Sequence, residues 1–480
     1  MIEVPRLDEP LPMYIGGEWV RTAERQEVAL PYDGSPVGAC YRAEEETIRR
    51  AIERAAEGAR AMRRLANCER AELLDRLREI LGRDREEFAR WIAAETGKPI
   101  REARVEAERA LQTLLASAEV ARNWRGEVVP IDGAPIGKGR MAVTLREPLG
   151  VIAAITPFNV PLNLAMHKIG PALAAGNAVI HKPATATPLS ALRFARAVEE
   201  AGAPRGAYNV ITGPGGAVGE ALVKSPEVAM ITFTGSREIG LAIRQKAGRK
   251  RVTLELGGNC ALIVEPDADL GLAAARSVTG SFAHSGQICI SVQRIYVHEA
   301  VAEEFLDRLA AGTAELKIGH PFEETTDVSS LISQQEAERV ESWIEEARRM
   351  GARLVCGGVR RRATVAPTIL AEVPSEARLS CQEVFGPVVA VNRYRRLEEA
   401  IALANASVYG LQAGIFTSHL ERAFRAAREL EAGGVLINDI PMFRADPMPY
   451  GGVKESGIGR EGPRYAAEEM SEIKLICWRI

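Results

Sequence analysis

The sequence is poor in the residues that build disulfide frameworks, metal centres and nucleic-acid surfaces. Its seven cysteines are odd in number and widely spaced, no Cys-x-x-Cys pair occurs, and the six histidines are scattered. We therefore expect neither a disulfide scaffold nor a bound metal. The formal net charge is only −3 and no block of basic residues occurs, so we expect no nucleic-acid partner.

Long uninterrupted apolar runs are also absent. The most apolar stretch, roughly 150–180, contains prolines, an asparagine, a histidine and a lysine between positions 157 and 168, which argues against a membrane span. Acidic residues among prolines between positions 3 and 9 are not typical of a signal peptide. We therefore expect a cytoplasmic protein. Its 480 residues, 46% hydrophobic and 26% charged, predict a globular chain of several domains.

The pattern of apolar residues divides the chain into regions. Residues 44–123 are charged, Ala/Leu-rich and helical in period, and they predict helices over Glu46–Leu65, Arg70–Thr96 and Arg101–Trp124. A polar break at 125–141 leads into a short excursion. Five short apolar strands then alternate with helices: Val151–Ile155, Ala178–His181, Tyr208–Ile211, Val228–Phe233 and Val252–Leu256. This alternation predicts a parallel sheet that is covered on both faces and binds ligands at the carboxyl ends of its strands. A second alternating region follows at 257–440, and the chain closes with the apolar strand Glu472–Trp478.

Two residues suggest covalent catalysis. Cys289 lies in the run Gly286-Gln287-Ile288-Cys289, and Glu255 stands between leucines before a Gly-Gly turn. A thiol nucleophile and a carboxylate base, each beside small residues, are typical of chemistry through a thioester. Each residue alone has an ordinary structural reading, because cysteine is often a small buried hydrophobe and a glutamate in a strand often faces solvent.

A dinucleotide site is indicated at two strand ends. The run from Phe233 to Gly240 follows an apolar strand and opens a helix, with Gly235 and Ser236 at the turn, which suits a phosphate at a helix N-terminus. Lys182 ends the second strand and is well placed for an adenosine ribose or its phosphate. A ligand-free turn and a solvated lysine are the alternative readings. Thr185 is neutral, so it need not repel a 2′-phosphate, and both NAD and NADP remain open.

Seven motifs in order resemble the aldehyde dehydrogenase superfamily from about Ile15 to Lys474. They are Thr156-Pro157-Phe158-Asn159, Lys182-Pro183, Phe233-Thr234-Gly235-Ser236, Leu254-Glu255-Leu256-Gly257-Gly258, Gly286-Gln287-Ile288-Cys289, Glu383-Val384-Phe385-Gly386-Pro387 and Pro449-Tyr450-Gly451-Gly452-Val453-Lys454-Glu455-Ser456-Gly457. The segments 159–163 and 448–462 look like the lactaldehyde dehydrogenase branch. That branch is near the non-phosphorylating glyceraldehyde-3-phosphate and phosphonoacetaldehyde enzymes.

The resemblance implies NAD(P)-dependent oxidation of a small aldehyde to its carboxylic acid. Cys289 would attack the carbonyl, Asn159 and the backbone N–H of Cys289 would hold the oxyanion, and Glu255 would activate water to hydrolyse the thioester. The implied cofactor-binding residues are Thr156, Pro157, Phe158, Lys182, Thr185, Gly215, Phe233, Gly235, Ser236, Leu256, Glu383 and Phe385. Glu383 would bind the nicotinamide ribose, and Phe385 would lie against the ring.

The resemblance also implies an α/β fold with a Rossmann-type dinucleotide-binding domain, an α/β catalytic domain and a small β-flap for oligomerisation. The expected parts are 1–124 and 148–256 for dinucleotide binding, 257–440 for catalysis, 125–147 and 467–480 for the flap, and 441–466 for a substrate-tunnel and closing segment. The family forms dimers or tetramers through the flap edge, so we expect a homodimer or homotetramer.

The aldehyde is less clearly indicated. The residues expected around the substrate tunnel are Arg109, Val160, Asn163, His167, Ile288, Ile290, Phe443 and Arg444. The two arginines could clamp a phosphate, phosphonate or carboxylate, or they could be surface or interface arginines paired with glutamates such as Glu106. Ile288 is apolar where several phosphate- or phosphonate-using relatives carry arginine, which favours an uncharged hydroxyaldehyde such as lactaldehyde.

His167 leaves two readings open: it could hydrogen-bond a substrate hydroxyl, or it could be a satisfied core histidine. Two other kinds of protein compete with an aldehyde dehydrogenase. One is a catalytically retired binding or structural member of the fold. The other is a thiol hydrolase or esterase that uses Cys289 without a cofactor.

Overall fold

Helices and strands alternate along most of the computed structural model, which describes residues 3–480. The helices are α1 Glu45–Arg64, α2 Asn67–Arg83, α3 Arg85–Thr96, α4 Ile100–Arg122, α5 Asn163–Ala174, α6 Leu189–Glu200, α7 Gly215–Lys224, α8 Arg237–Lys246, α9 Leu270–Phe282, α10 Ala302–Ala314, α11 Gln334–Arg349, α12 Arg378–Cys381, α13 Leu397–Asn405, α14 Leu420–Glu429 and α15 Pro463–Glu469. The strands are β1 Met13–Ile15, β2 Glu18–Val20, β3 Arg25–Ala29, β4 Pro36–Tyr41, β5 Val128–Val129, β6 Arg140–Pro148, β7 Val151–Ile155, β8 Ala178–Lys182, β9 Tyr208–Val210, β10 Val228–Thr234, β11 Arg251–Glu255, β12 Cys260–Val264, β13 Val292–His298, β14 Arg353–Cys356, β15 Arg360–Arg361, β16 Thr364–Val365, β17 Thr368–Ala371, β18 Val388–Tyr394, β19 Gln412–Phe416, β20 Gly434–Ile437, β21 Gly457–Ile458 and β22 Ser471–Arg479.

The first large sheet has the order β2-β1-β9-β8-β7-β10-β11-β21. Its centre, from β9 to β11, is parallel, and β1 and β21 add antiparallel strands at the two sides. The five strands predicted between 150 and 256 are confirmed, and each of their ends lies within one residue of the predicted position. Both faces of β7 and β8 are buried, as their unbroken apolar runs require in a sheet with helices on both sides.

The second large sheet has the order β14-β17-β18-β13-β12-β19-β20 and is parallel except at β14. The link at 256–259 joins β11 of the first sheet to β12 of the second. The carboxyl end of the first sheet therefore lies close to the amino end of the second. Polar side chains at these two edges can meet.

A third, antiparallel sheet has the order β22-β6-β5, so β22 forms a free edge. The flap range 467–480 expected from the sequence is not all strand, because α15 continues to Glu469 before β22 begins. Residues 1 and 2 of the expected range 1–124 lie outside the described residues. The domain division itself stays a prediction.

The helices of the N-terminal region differ from expectation at one place. The pattern over Arg70–Thr96 predicts one helix, but Asp84 leaves the helical conformation (φ −96°, ψ 13°) and ends α2 while it precedes α3. At this break Arg83 pairs with both Asp84 and Glu200. Among residues 3–480, no helix has the length and apolar character that a membrane crossing needs.

Candidate active site

The candidate residues meet where the two large sheets adjoin. Asn159 follows β7 and Glu255 ends β11, both at the carboxyl edge of the first sheet. Cys289 precedes β13 and Glu383 precedes β18, both at the amino edge of the second sheet. The structure therefore brings together residues that are more than two hundred positions apart, as expected for a ligand site at the carboxyl ends of parallel strands.

A tight turn presents Cys289. His284, Ser285 and Gly286 have φ of 47°, 53° and 71°, three consecutive residues in the left-handed region. Non-glycine residues enter this region at a cost, and such backbones often occur at functional sites. A Cβ at Gly286 would lie 2.1 Å from the carbonyl oxygen of Gly386, so the turn needs glycine there.

The sulfur of Cys289 is partly buried and has one polar neighbour within hydrogen-bonding distance. The Sγ of Cys289 lies 3.0 Å from the hydroxyl oxygen of Tyr450. Burial raises the pKa of the Cys289 thiol to about 12, while the hydrogen bond with Tyr450 and the charge of Arg444 act in the opposite direction. The thiol is thus held between desolvation, which disfavours the thiolate, and groups that favour it.

Asn159 is oriented by the same loop. Its side-chain Nδ2 donates to the carbonyl oxygen of Gln287 at 2.7 Å. Gln287 is itself held by a bond from the backbone N–H of Ile332 to its Oε1 (2.8 Å). One N–H of the Asn159 amide is thereby fixed, and the other remains available beside Cys289.

Glu255 is a buried carboxyl group without hydrogen-bond partners for either oxygen in the described part of the chain. Burial raises its pKa well above the usual value, and the nearby charge of Glu461 adds to this effect. Glu461 stays ionised because Lys168 binds its Oε1 at 2.7 Å and Arg444 binds its Oε2 at 3.0 Å. These partners outweigh burial and lower the pKa of Glu461 to about 2. A carboxyl group with a raised pKa is suited to general-base catalysis.

A cleft of about 910 Å³ opens beside these residues. It is lined by every residue expected to bind the cofactor except Thr185: Thr156, Pro157, Phe158, Lys182, Gly215, Phe233, Gly235, Ser236, Leu256, Glu383 and Phe385. Thr185 is exposed, and its hydroxyl donates to the carbonyl oxygen of Gly213 at 3.2 Å. Thr185 is therefore not part of the cleft lining, and its expected role in cofactor binding stays a prediction.

The cleft fits a dinucleotide. Helix α8 begins directly after Ser236, and a Cβ built at Gly215 would meet no other element of the described structure within 4 Å, so a phosphate can approach the backbone. Lys182 is buried, which lowers its pKa to about 8, and among residues 3–480 its ammonium donates only to the carbonyl oxygen of Pro183. Its remaining N–H groups can bind a ribose or phosphate.

The other end of the cleft has two aromatic walls and a carboxyl group. The rings of Phe158 and Phe385 lie 5.8 Å apart, edge to face. Glu383 accepts from the backbone N–H of Gly258 at 3.0 Å, and burial raises its pKa to about 8. This arrangement suits a flat ring and an adjoining ribose.

The residues expected around the tunnel fall into two groups. One interpretation of the sequence paired Arg109 with Glu106, but Arg109 does not form this ion pair in the structure. It bonds to Asp446 at 2.8 Å, and Asp446 also bonds to Asn163 (3.0 Å) and His167 (3.0 Å). Glu106 instead pairs with Lys98 and accepts from backbone N–H groups at 162 and 163. Burial lowers the pKa of His167 to about 4, so this histidine is neutral.

The second group surrounds the sulfur more closely. Ile290 is buried and packs with Cys260, Leu411 and Tyr450, against which Ile288 and Cys289 lie. Arg444 is 6% exposed and lies over the ring of Tyr450 at 3.7 Å. Two further expected residues are more open: Val160 is half-buried, and Phe443 is 46% exposed.

The sequence alone does not indicate a function for three residues of this region: Tyr450, Asp446 and Glu461. Tyr450 stands inside a quoted motif, so its position could have been noticed, but nothing in the chain near it indicates contact with Cys289. Asp446 and Glu461 carry no local signal at all, because their partners are long-range: Asp446 lies 283 residues from Asn163 and Glu461 lies 293 from Lys168.

A parallel sheet covered on both faces, a second α/β sheet and a cleft at the carboxyl ends of the first sheet's strands are typical of dinucleotide-dependent enzymes. The model of the aldehyde dehydrogenase family matches residues 19–476. The chain belongs to this family, and it is an NAD(P)-dependent aldehyde dehydrogenase. The family, the fold class, the enzyme class and the cofactor class expected from the sequence are confirmed, which sets aside the retired member and the cofactor-free hydrolase.

Similar proteins carry several names within the family. The chain is 48% identical to 3-sulfolactaldehyde dehydrogenase of Priestia aryabhattai over 97% of each chain. It is 41% identical to lactaldehyde dehydrogenase of Methanococcus aeolicus, over 97% of this chain and 99% of that one. The NADP-complexed glyceraldehyde-3-phosphate dehydrogenase of Methanocaldococcus jannaschii superposes with a TM-score of 0.92 at 40% identity, over 96% of this chain and 100% of that one.

Proposed function

We propose that the protein oxidises a small 2-hydroxyaldehyde such as lactaldehyde to its acid through a thioester of Cys289. The observation that carries this proposal is the meeting of Cys289, Asn159 and Glu255 at one end of the dinucleotide cleft. A nucleophile, an oxyanion donor and a base are the three groups that an acyl-enzyme route needs.

The proposed reaction begins when the Cys289 thiolate adds to the aldehyde carbon. The carbonyl electron pair becomes an oxyanion, which the free N–H of Asn159 and the backbone N–H of Cys289 stabilise. Bound NAD(P)⁺ supplies the nicotinamide as hydride acceptor. Collapse of the oxyanion leaves a thioester on Cys289. Glu255 then takes a proton from water, which attacks the thioester and releases the acid and the thiolate.

The 2-hydroxyaldehyde is supported by two relatives, since lactaldehyde and 3-sulfolactaldehyde share that part of the molecule. The uncharged substrate, lactaldehyde, is favoured because Arg109 and Arg444 are both held in ion pairs. Arg109 is paired with Asp446, and Arg444 is paired with Glu461. Asp446 compensates the charge of Arg109, whereas Arg444 is 6% exposed and shares Glu461 with Lys168, so neither offers an exposed, unpaired cation to an anionic group.

An anionic aldehyde is the second candidate. Arg109 is 34% exposed despite its ion pair with Asp446, so its charge can reach a ligand from the solvent side. The 48% identity to a sulfolactaldehyde enzyme favours the same class. Glyceraldehyde-3-phosphate, phosphonoacetaldehyde and succinate semialdehyde are the other members to be tested.

The experiment measures NAD(P)H formation with lactaldehyde, sulfolactaldehyde and those three anionic aldehydes, each with NAD and with NADP. A higher kcat/KM for lactaldehyde, unchanged in Arg109→Gln, supports the uncharged substrate. A preference for anionic aldehydes that is lost in Arg109→Gln overturns it and makes that arginine the clamp. The control substitution should not disturb a buried ion pair, which excludes Glu106→Gln because Glu106 pairs with the buried Lys98. Arg104→Gln serves instead, because Arg104 is an ion-paired arginine on the same helix whose side chain is 38% exposed.

We further propose that the protein is cytoplasmic and forms a homodimer or homotetramer through its flap. All seven cysteines are unpaired, as is usual in a reducing compartment. The free edge β22 exposes Ile473 and Leu475, and a free edge with apolar side chains favours pairing with another copy. Light scattering should show a smaller mass for a variant with glutamate at both positions than for Val359→Glu, an exposed apolar residue elsewhere. Equal masses would contradict assembly through this edge.

A further inference from the structure

The hydroxyl of Tyr450 makes its only hydrogen bond within residues 3–480 to the sulfur of Cys289, at 3.0 Å. The side chain is 3% exposed. Its backbone is held from both directions by Glu461: the N–H of Tyr450 donates to the Glu461 carbonyl at 3.0 Å, and the N–H of Glu461 donates back at 2.7 Å. The hydroxyl is thus a preorganised group aimed at the nucleophile.

The direction of this hydrogen bond follows from the two groups. A thiolate can only accept, whereas a phenol can donate. Burial raises the pKa of Tyr450 well above its usual value, so the hydroxyl keeps its proton while the sulfur loses one. Donation to the charged form stabilises that form relative to the thiol.

Arg444 reinforces the donor. Its guanidinium carbon lies 3.7 Å from the centre of the Tyr450 ring, and Glu461 holds it there at 3.0 Å. A cation over the ring face draws electron density from the phenol, which makes the hydroxyl a stronger donor. Arg444 is thereby assigned to the nucleophile, where the sequence suggested a clamp for an anionic substrate.

We propose that Tyr450 is the hydrogen-bond donor that stabilises the Cys289 thiolate before attack, and that Arg444 strengthens this donor by stacking on its ring. The inference rests on the proposed role of Cys289 as nucleophile. As the carbon–sulfur bond forms, negative charge leaves the sulfur for the carbonyl oxygen. Stabilisation then passes from Tyr450 to Asn159.

The size of the effect follows from two opposing trends. A hydrogen bond to a charged group is equivalent to a pKa change of about one to two units. Each unit removed from the pKa raises the thiolate fraction tenfold below the midpoint but lowers the intrinsic reactivity of the thiolate about threefold. The net gain is about threefold per unit, so Tyr450 should contribute about 3- to 10-fold to the reaction rate at neutral pH.

The test is the rate at which iodoacetamide alkylates Cys289 in the full-length protein, followed by peptide mass spectrometry at neutral pH. We expect Tyr450→Phe to react about 3- to 10-fold more slowly than the wild type. Replacement of Tyr450 by 3-fluorotyrosine, which has nearly the same shape and a more acidic phenol, should react faster. The matched control is Tyr394→Phe, a buried tyrosine whose hydroxyl bonds to Val264 in the second sheet. It should leave the rate unchanged.

Two results would overturn the inference. One is a Tyr450→Phe variant that reacts as fast as the wild type. The other is a fluorotyrosine protein that is slowed together with it, since a merely structural role cannot give changes of opposite sign. Failure of the proposed function is seen separately, as aldehyde oxidation that survives Cys289→Ala. A fold defect in Tyr450→Phe would appear as a lower melting temperature. In that case the alkylation rate of the fluorotyrosine protein tests the inference, which predicts a faster reaction than in the wild type.

Discussion

The proposed oxyanion donor gives the sharpest prediction. Asn159→Ala removes the N–H that we assign to the oxyanion and the bond that holds the loop through Gln287 (2.7 Å). Loss of one oxyanion donor costs about 100- to 1000-fold in kcat, or about 2.7–4 kcal/mol of transition-state stabilisation. The lost neutral hydrogen bond costs about 1 kcal/mol of folding free energy.

The assay is steady-state NAD(P)H formation with the best aldehyde, together with urea unfolding. We expect kcat/KM for the aldehyde to fall about 100- to 1000-fold while the KM for NAD(P) is unchanged. Asn177→Ala is the control, because this buried amide also donates to backbone carbonyls, those of Ala172 and Met470. Asn177 precedes β8, whereas the site lies beyond the other end of that strand. The control should lose stability without a comparable loss of activity.

A loss below about tenfold in a folded Asn159→Ala protein would refute the reasoning, because a donor that matters in the transition state cannot be removed at so small a cost. Equal losses in Asn159→Ala and Asn177→Ala would be equally damaging. They would show that activity follows stability and not the position of the amide.

Three more predictions follow from the site. Glu255→Gln should give a single burst of NAD(P)H without turnover, which stopped-flow measurements would show. A burst lost to the same extent as turnover would oppose a role of Glu255 confined to hydrolysis. In the wild type, turnover should rise with pH through the raised pKa of Glu255, as a pH profile would show. Thr185→Glu should lower kcat/KM for NADP relative to NAD by about tenfold, whereas an unchanged ratio would place the 2′-phosphate elsewhere. The folded-state pKa of Glu461 is lowered to about 2, so its ion pairs stabilise the fold above its unfolded value of about 4.3 and are lost as pH falls towards 2. Lys168→Met leaves Glu461 paired with Arg444 alone, so it should cost about 1.5–3 kcal/mol at neutral pH, the contribution of one hydrogen bond to a charged group, and flatten this acid dependence. Parallel curves for the variant and the wild type in urea unfolding at several pH values would contradict it.

Much of the architecture could be predicted because its signals are local. Strands such as Val151–Ile155 are apolar on both faces, and Lys182 and Glu255 end their strands, so a parallel sheet already implies that they meet at one edge. The split of the predicted helix Arg70–Thr96 at Asp84 could not be predicted, because the apolar period continues across the break.

The surroundings of the sulfur could not be predicted for a different reason. Tyr450 and Arg444 reach Cys289 only because β21 and the loops beside it return to the first sheet. Charges such as Glu461 are recognisable as buried only after the chain has folded. Thr185 lies outside the cleft lining and is exposed, so its predicted contact with the cofactor depends on where the ribose of the bound cofactor lies.

The glycine turn before Cys289 also couples the loop that carries this thiol to the loop that carries Glu383. The backbone of Gly286 presses against that of Gly386, with no room for a side chain between them. Gln293 adds a second tie, because it donates to Gly258 at 2.7 Å and accepts from the N–H of Val384 at 2.9 Å. The loop of Glu383 and the loop of Cys289 therefore form one mechanical unit. A substitution that displaces the Glu383 loop is therefore expected to displace the loop that carries Cys289 as well.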